Sequence, residues 1–196
     1  MSRADLSPWA CALFLVAAFV AAGVCQAAWL SSPRSWRFGS PIDSGRRFRD
    51  RRLFGDNKTW RGFVVMVPAT GVSFGLLSTL TMGRPPAVAG LWPLSMGTYV
   101  GLGLLAGLGF MAGELPNSFL KRQLDIPPGT AARGPVARPL WFVIDRIDSA
   151  AGMMIALSLA VPVPWRTWLY VALLGPALHG LFSLLVFRLG GKARAA

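Results

Sequence analysis

The sequence predicts an all-α protein, a polytopic transmembrane helical bundle of about five spans with its N-terminus outside and its C-terminus cytoplasmic. Three observations carry this. Hydrophobic residues make up 54% of the 196 and charged ones only 14%, against about 25% charged in an ordinary soluble domain. The mean hydropathy is +0.50. Yet the net charge is +12, from 20 Lys+Arg and 8 Asp+Glu, and those cations are crowded into a few segments between apolar runs.

The runs near the ~20 residues that a bilayer-crossing helix needs are Trp9 to Leu30, Phe63 to Met82, Leu94 to Met111, Leu140 to Val161 and Trp168 to Phe187. Arg34, Arg37, Arg46, Arg47, Arg49, Arg51, Arg52, Lys58 and Arg61 separate the first two. Lys121, Arg122, Arg133 and Arg138 separate the third and fourth, and Arg188, Lys192 and Arg194 follow the fifth. Sixteen of the twenty cations therefore share one face. Only Arg3, Arg84 and Arg166 fall on the other, and Arg146 lies inside the fourth run. Short cytoplasmic loops are the ones enriched in Lys and Arg, which sets the orientation. One integral-membrane domain over residues 1–196 is expected, with cytoplasmic loops at about 31–62 and 112–139. The eight Trp suit the interfacial belt.

The first run is longer than a secretory signal core and only Arg3 precedes it, so it is expected to be retained as a span. Cys11 and Cys25 on one helix would stand ~21 Å apart, beyond bridging distance, and are expected to pack. With His179 the single histidine, a polar packing role is expected for it rather than catalysis. No metal-ligand spacing of His and Cys and no P-loop occurs, and no nucleic-acid partner is expected. Gly97, Gly101, Gly103, Gly107, Gly109 and Gly113 put small residues at helix-packing intervals in the third run; dimerisation through them is left open.

Three polar motifs interrupt this pattern. Pro41-Ile42-Asp43-Ser44-Gly45 precedes the basic run Arg46 to Arg52, which is expected to set topology or touch anionic lipid. Gly55-Asp56-Asn57-Lys58-Thr59-Trp60-Arg61-Gly62 then combines glycines, an amide, a hydroxyl and two cations at the mouth of a span, and reads as a polyphosphate-binding loop. In Gly113-Glu114-Leu115-Pro116-Asn117-Ser118-Phe119-Leu120-Lys121-Arg122, helical spacing puts Glu114, Ser118 and Lys121/Arg122 on one face, with Pro116 in the first turn of a helix starting near Glu114. Asp145-Arg146-Ile147-Asp148-Ser149 places two carboxylates three residues apart inside a span. Ionised groups there are functional candidates by default, and such a pair suits Mg²⁺, which prefers oxygen ligands.

Together and in this order, the motifs resemble those of the CTP-dependent lipid-phosphate cytidylyltransferases, closest to the CDP-archaeol synthase branch and similar to the phosphatidate cytidylyltransferases. The resemblance covers most of the chain from Pro41 onward. It implies a nucleotidyltransferase of phospholipid biosynthesis in the cell (inner) membrane, its active site facing the cytoplasm. CMP would pass from CTP to phosphatidate or an archaeal-type ether-lipid phosphate, releasing pyrophosphate, with Mg²⁺ as cofactor. Asn57, Lys58, Thr59, Arg61 and Ser118 would bind nucleotide or phosphate, and Asp145, Asp148, Lys121 and Arg122 would be catalytic. Asp145, Asp148 and Glu114 would hold the metal, Glu114 standing where many relatives have Asp. A CDP-alcohol phosphotransferase is excluded by Ser149 in place of its glycine and by the lack of acids after Asp148. The competing reading is a non-catalytic membrane protein that binds anionic lipid through its basic loops.

Overall fold

The computed structural model describes residues 6–81, 90–130 and 134–188 of the chain, without the side chains of 176 and 178–188. The expectations for Arg3, Arg84, Arg133, Lys192, Arg194 and the side chains of His179 and Arg188 lie outside the described residues. Five long helices dominate: α1 Pro8–Ser31, α2 Trp60–Thr81, α3 Met96–Gln123, α4 Ala137–Ala160 and α5 Trp165–Arg188. Three of them, α1, α2 and α3, are long and apolar enough to cross a membrane. The charges of α4 lie in its first half, at Arg138, Asp145, Arg146 and Asp148. The chain is a helical integral membrane protein.

Local chemistry sets the boundaries. Ser7 caps α1, its Oγ accepting from Ala10 N at 3.3 Å, with Pro8 in the first turn where a missing N–H costs nothing. Ser32 ends α1 and its hydroxyl caps a short 3₁₀ helix, Pro33–Phe38. Ser95 caps α3 through Thr98 N at 3.2 Å. That helix then runs unbroken for 28 residues through Pro116. The expected new helix near Glu114 does not form: the apolar run continues directly into the polar motif, and one proline removes a single ladder hydrogen bond without ending the helix.

Neighbouring helices pack in a ring, α1 on α2, α2 on α3, α3 on α4, α4 on α5, and α5 back on α1. The glycine run of α3 explains two of these contacts. A Cβ at Gly103 would lie 2.6 Å from Thr70 O and 2.8 Å from Gly71 Cα of α2, and one at Gly152 of α4 would lie 2.6 Å from Gly113 Cα. Backbones touch at both seams, which only small residues allow. A Cβ at Gly97 or Gly101 would meet nothing within 4 Å, so the start of the run serves no seam among the described residues.

The core holds Phe14, Phe74, Tyr99, Leu102, Met154 and Leu157, with Phe14 edge-on to Phe74 at 5.1 Å. Cys11 is buried in it, whereas Cys25 is exposed. The expected packing role thus holds for the first cysteine only, because position 25 faces away from the ring. One end of the bundle is closed by the 90–95 loop: Trp92 donates to Pro162 O at 2.9 Å and Tyr99 OH to Trp92 O at 2.6 Å. At the opposite end lie the basic segments. There the chain departs from all-α in one small hairpin, β1 Arg47–Phe48 paired antiparallel with β2 Arg51–Arg52. Its turn residues Arg49 and Asp50 both have positive φ, as a two-residue hairpin turn requires.

Candidate active site at the basic end

Where α3 and α4 meet, three acids from the sequence motifs are joined in one hydrogen-bonded chain. Lys58 pairs with Glu114 Oε2. Ser149 Oγ donates to Glu114 Oε1 at 2.8 Å and lies 3.3 Å from Asp148 Oδ1. The Asn117 amide donates to both Asp148 Oδ2 and Asp145 Oδ1, each at 2.6 Å. Lys121 pairs with Asp145, 2.6 Å from Oδ2. Asp145 and Asp148 face the same way, as their three-residue spacing implies. Arg146 does not neutralise them: it lies over the Phe142 ring at 3.3 Å and donates to Phe142 O. Two cations thus face three acids.

The loop carrying Lys58 is built around Asp43, whose carboxylate is buried at 3% exposure. It accepts from Gly45 N at 3.0 Å, Phe54 N at 3.0 Å, Gly55 N at 3.1 Å and Arg52 Nη2 at 2.7 Å. Burial pushes this carboxyl up, but Arg52 and the three backbone donors outweigh it and hold the group well below the usual carboxylate range. Arg52 is raised in turn by its hydrogen bond to Asp43. Beyond Gly55, at φ 95°, Lys58 N donates to Gly55 O, Ile42 N donates to Lys58 O at 2.9 Å, and Pro41 bridges Thr59. Asp43 therefore fixes the backbone from which Lys58 reaches Glu114.

The remaining expected residues divide. Asn57, Lys58, Thr59 and Glu114 line a cleft of about 170 Å³ together with Gln26, Leu30, Phe63, Met111 and Leu115. Arg61 turns away, donating to Leu30 O at 2.8 Å and Ser35 Oγ at 2.6 Å with its guanidinium 3.9 Å from the centre of the Trp36 ring. Lys121 and Arg122 also separate, because consecutive residues on a helix differ by about 100°. Arg122 is buried at 8% exposure beneath Gly55 and lines a hollow with Arg51, Arg52 and Asp125. Its Nε and Nη1 have no hydrogen-bond partner. Ser118 is buried and takes no part in the hydrogen bonds linking the acids. Asn117 takes that place instead; its spacing of three from Glu114 and four from Lys121 was the available signal.

For a metal, the donors are hard oxygens. Asn117 spends both N–H groups on the aspartates, and its buried Oδ1 has no partner. Among the described residues no group of three or more His, Cys, Asp or Glu stands ready to hold an ion, since Glu114 reaches Asp148 only through Ser149. Two carboxylates nevertheless fit Mg²⁺, which is usually held by one or two of them and completes its shell with water and phosphate oxygens.

Comparison with known proteins bears on this geometry. A solved structure described as an intramembrane enzyme for archaeal membrane lipids biosynthesis superposes with a TM-score of 0.58 at 23% identity, over 84% of this chain and 89% of that one, a likeness of fold. The CDP-archaeol synthase of Pyrococcus abyssi is 33% identical over 83% of this chain and 87% of its own length. That of Methanosphaerula palustris is 34% identical over 84% and 96%. The family model described as CarS-like, CDP-archaeol synthase, matches residues 28–194. The chain belongs to the CDP-archaeol synthase family.

Proposed function

We propose that this protein is a membrane cytidylyltransferase that transfers CMP from CTP to a diacyl- or dialkylglycerol phosphate, yielding a CDP-lipid and pyrophosphate. The observation that carries the reading is the chain Lys58, Glu114, Ser149, Asp148, Asn117, Asp145, Lys121, with Arg122 buried against Gly55 of the Lys58 loop, its Nε and Nη1 without a partner. Relatives named CDP-archaeol synthase support it. The site is proposed to face the cytoplasm in a five-span arrangement with the N-terminus outside, the orientation that satisfies the charge rule at every loop.

An oxygen of the lipid phosphate attacks the α-phosphorus of CTP, and the bond to the β-phosphate oxygen breaks. Both reactants are anions, so the first requirement is to cancel their repulsion. Lys58 and Lys121, released from their carboxylates, would take phosphate oxygens, and the unpaired Arg122 guanidinium supplies a further fork of donors. Asn57 and Thr59 would orient the triphosphate, Ser118 would offer a hydroxyl from α3, and Arg61 would hold the loop against the end of α1. Asp145 and Asp148 would hold Mg²⁺, with Glu114 joining when Lys58 turns to phosphate. The metal would supply charge to the phosphate oxygens and the leaving pyrophosphate. Because the nucleophile is already ionised, no strong general base is needed, which suits a chain with one histidine.

The test is incubation of purified protein with labelled CTP, Mg²⁺ and a panel of lipid phosphates. A labelled CDP-lipid is expected; no product from any of them would sink the reading and leave the non-catalytic lipid-binding one.

A further inference from the structure

The cleft beside Lys58 has a division that the reaction centre does not require. One end is polar, with Asn57, Lys58, Thr59 and Glu114; the other is walled by Leu30, Phe63, Met111 and Leu115. Its volume, about 170 Å³, is well below the ~300–1,000 Å³ of sites that enclose drug-sized molecules, so a whole nucleotide is too large for it. A three-carbon alcohol with the first methylenes of its chains is not. Leu30 is 41% exposed, so the apolar wall reaches the outside of the bundle, where chains can run on between lipids.

One residue in that wall is out of place. Gln26 is the single side-chain amide of α1, one turn before Leu30, and its Nε2 has as partner only the Met111 thioether at 3.9 Å. Sulfur there is a weak acceptor, and an amide among apolar side chains is costly without a better one. Resting on the cytidylyl-transfer reading, we infer that this cleft is the subsite for the glycerol backbone and proximal chains of the lipid phosphate. The phosphate lies at Lys58, the chains pass Leu30, and the Gln26 amide donates to a linkage oxygen on the glycerol. Gln26 is then a specificity residue, since ether and ester linkages present different acceptors to one donor.

The experiment compares wild type with Gln26→Leu and Leu30→Trp, using dialkylglycerol phosphate, diacylglycerol phosphate and chain-free glycerol 3-phosphate. The lipid KM should rise about 5- to 10-fold in each variant with the CTP KM unchanged. Gln26→Leu should narrow the preference between the two lipids, and Leu30→Trp should cost both lipids more than it costs glycerol 3-phosphate. A rise in CTP KM would reassign the cleft to the nucleotide, and an unchanged lipid KM, or equal losses with glycerol 3-phosphate, would remove the assignment. Native mass spectrometry of the detergent-solubilised protein without CTP separates the two claims. If wild type retains lipid phosphate and Leu30→Trp does not, the cleft stands even where no CDP-lipid forms; equal retention by both overturns it.

Discussion

The two ends of the bundle solve opposite problems. At the end closed by residues 90–95, buried polar groups among the described residues are paired: Trp92 Nε1 and Tyr99 OH each donate to a backbone carbonyl, amid Leu91, Val161 and Val163. At the basic end sit all five buried side-chain atoms that lack a partner among the described residues, on Arg61, Asn117, Arg122 and Gln123. Buried polar atoms are normally satisfied, and exceptions need a reason. A packed closure gains nothing from leaving them open, whereas a site that must receive phosphate does.

That contrast is sharpened most by Asp148→Asn, which keeps shape and removes one charge. Loss of turnover by about 10³-fold is expected, read as CDP-lipid from labelled CTP, with the melting curve in detergent unaltered. Next is Asn117→Leu, which strips both aspartates of their shared donor. The Mg²⁺ concentration for half-maximal rate should rise ~10- to 100-fold, and a magnesium titration that does not move would place Asn117 in a purely structural role.

These two residues also mark how far the sequence could be read. Asp145 and Asp148 were legible because charge inside an apolar run is conspicuous, and Glu114 and Lys121 because helical spacing just past the end of another run aligns them. Asn117 and Ser149 were harder to read, since an uncharged amide or hydroxyl is marked only by its helical spacing from the charges until the facing helix is known. Arg61 was expected to bind nucleotide or phosphate, and its contacts with Leu30 O and the Trp36 ring could not be foreseen, because both lie 25 or more residues away in sequence where the last carbonyls of α1 attract a cation. The apolar runs located all five helices, but α3 extends twelve residues past its expected end, because Pro116 weighs more in a sequence pattern than in an already growing helix.

A smaller effect is expected from Asp43→Asn, which loosens the loop without touching phosphate. The CTP KM should rise about 10-fold with kcat less affected. The pH dependence follows from the lowered carboxyl. Its stabilising contribution is fully present above the unfolded value near ~3.9 and is lost only as pH falls through the depressed folded one. Hydrogen exchange at Phe54 and Gly55, corrected for its intrinsic pH dependence, should show the same protection from pH 8 to 5 in wild type; protection lost within that range would contradict the Asp43 anchor. The smallest functional change belongs to the closed end: Trp92→Phe should lower stability by about 1–2 kcal/mol through the lost hydrogen bond, seen in thermal unfolding, with kcat/KM intact. A fall in turnover there would mean that the two ends are not independent.

The unbroken course of α3 has a consequence for distance. Tyr99 and Asn117 stand eighteen residues apart on one rod, ~27 Å at 1.5 Å per residue, close to the ~30 Å hydrocarbon thickness of a bilayer. The helix works as a ruler that sets Asn117 and the two aspartates bonded to it about that far from the closed end where Tyr99 and Trp92 are buried. Under the proposed reaction a lipid phosphate at that level would reach the carboxylates by sliding in the plane of the membrane, and its chains would never have to leave the oil.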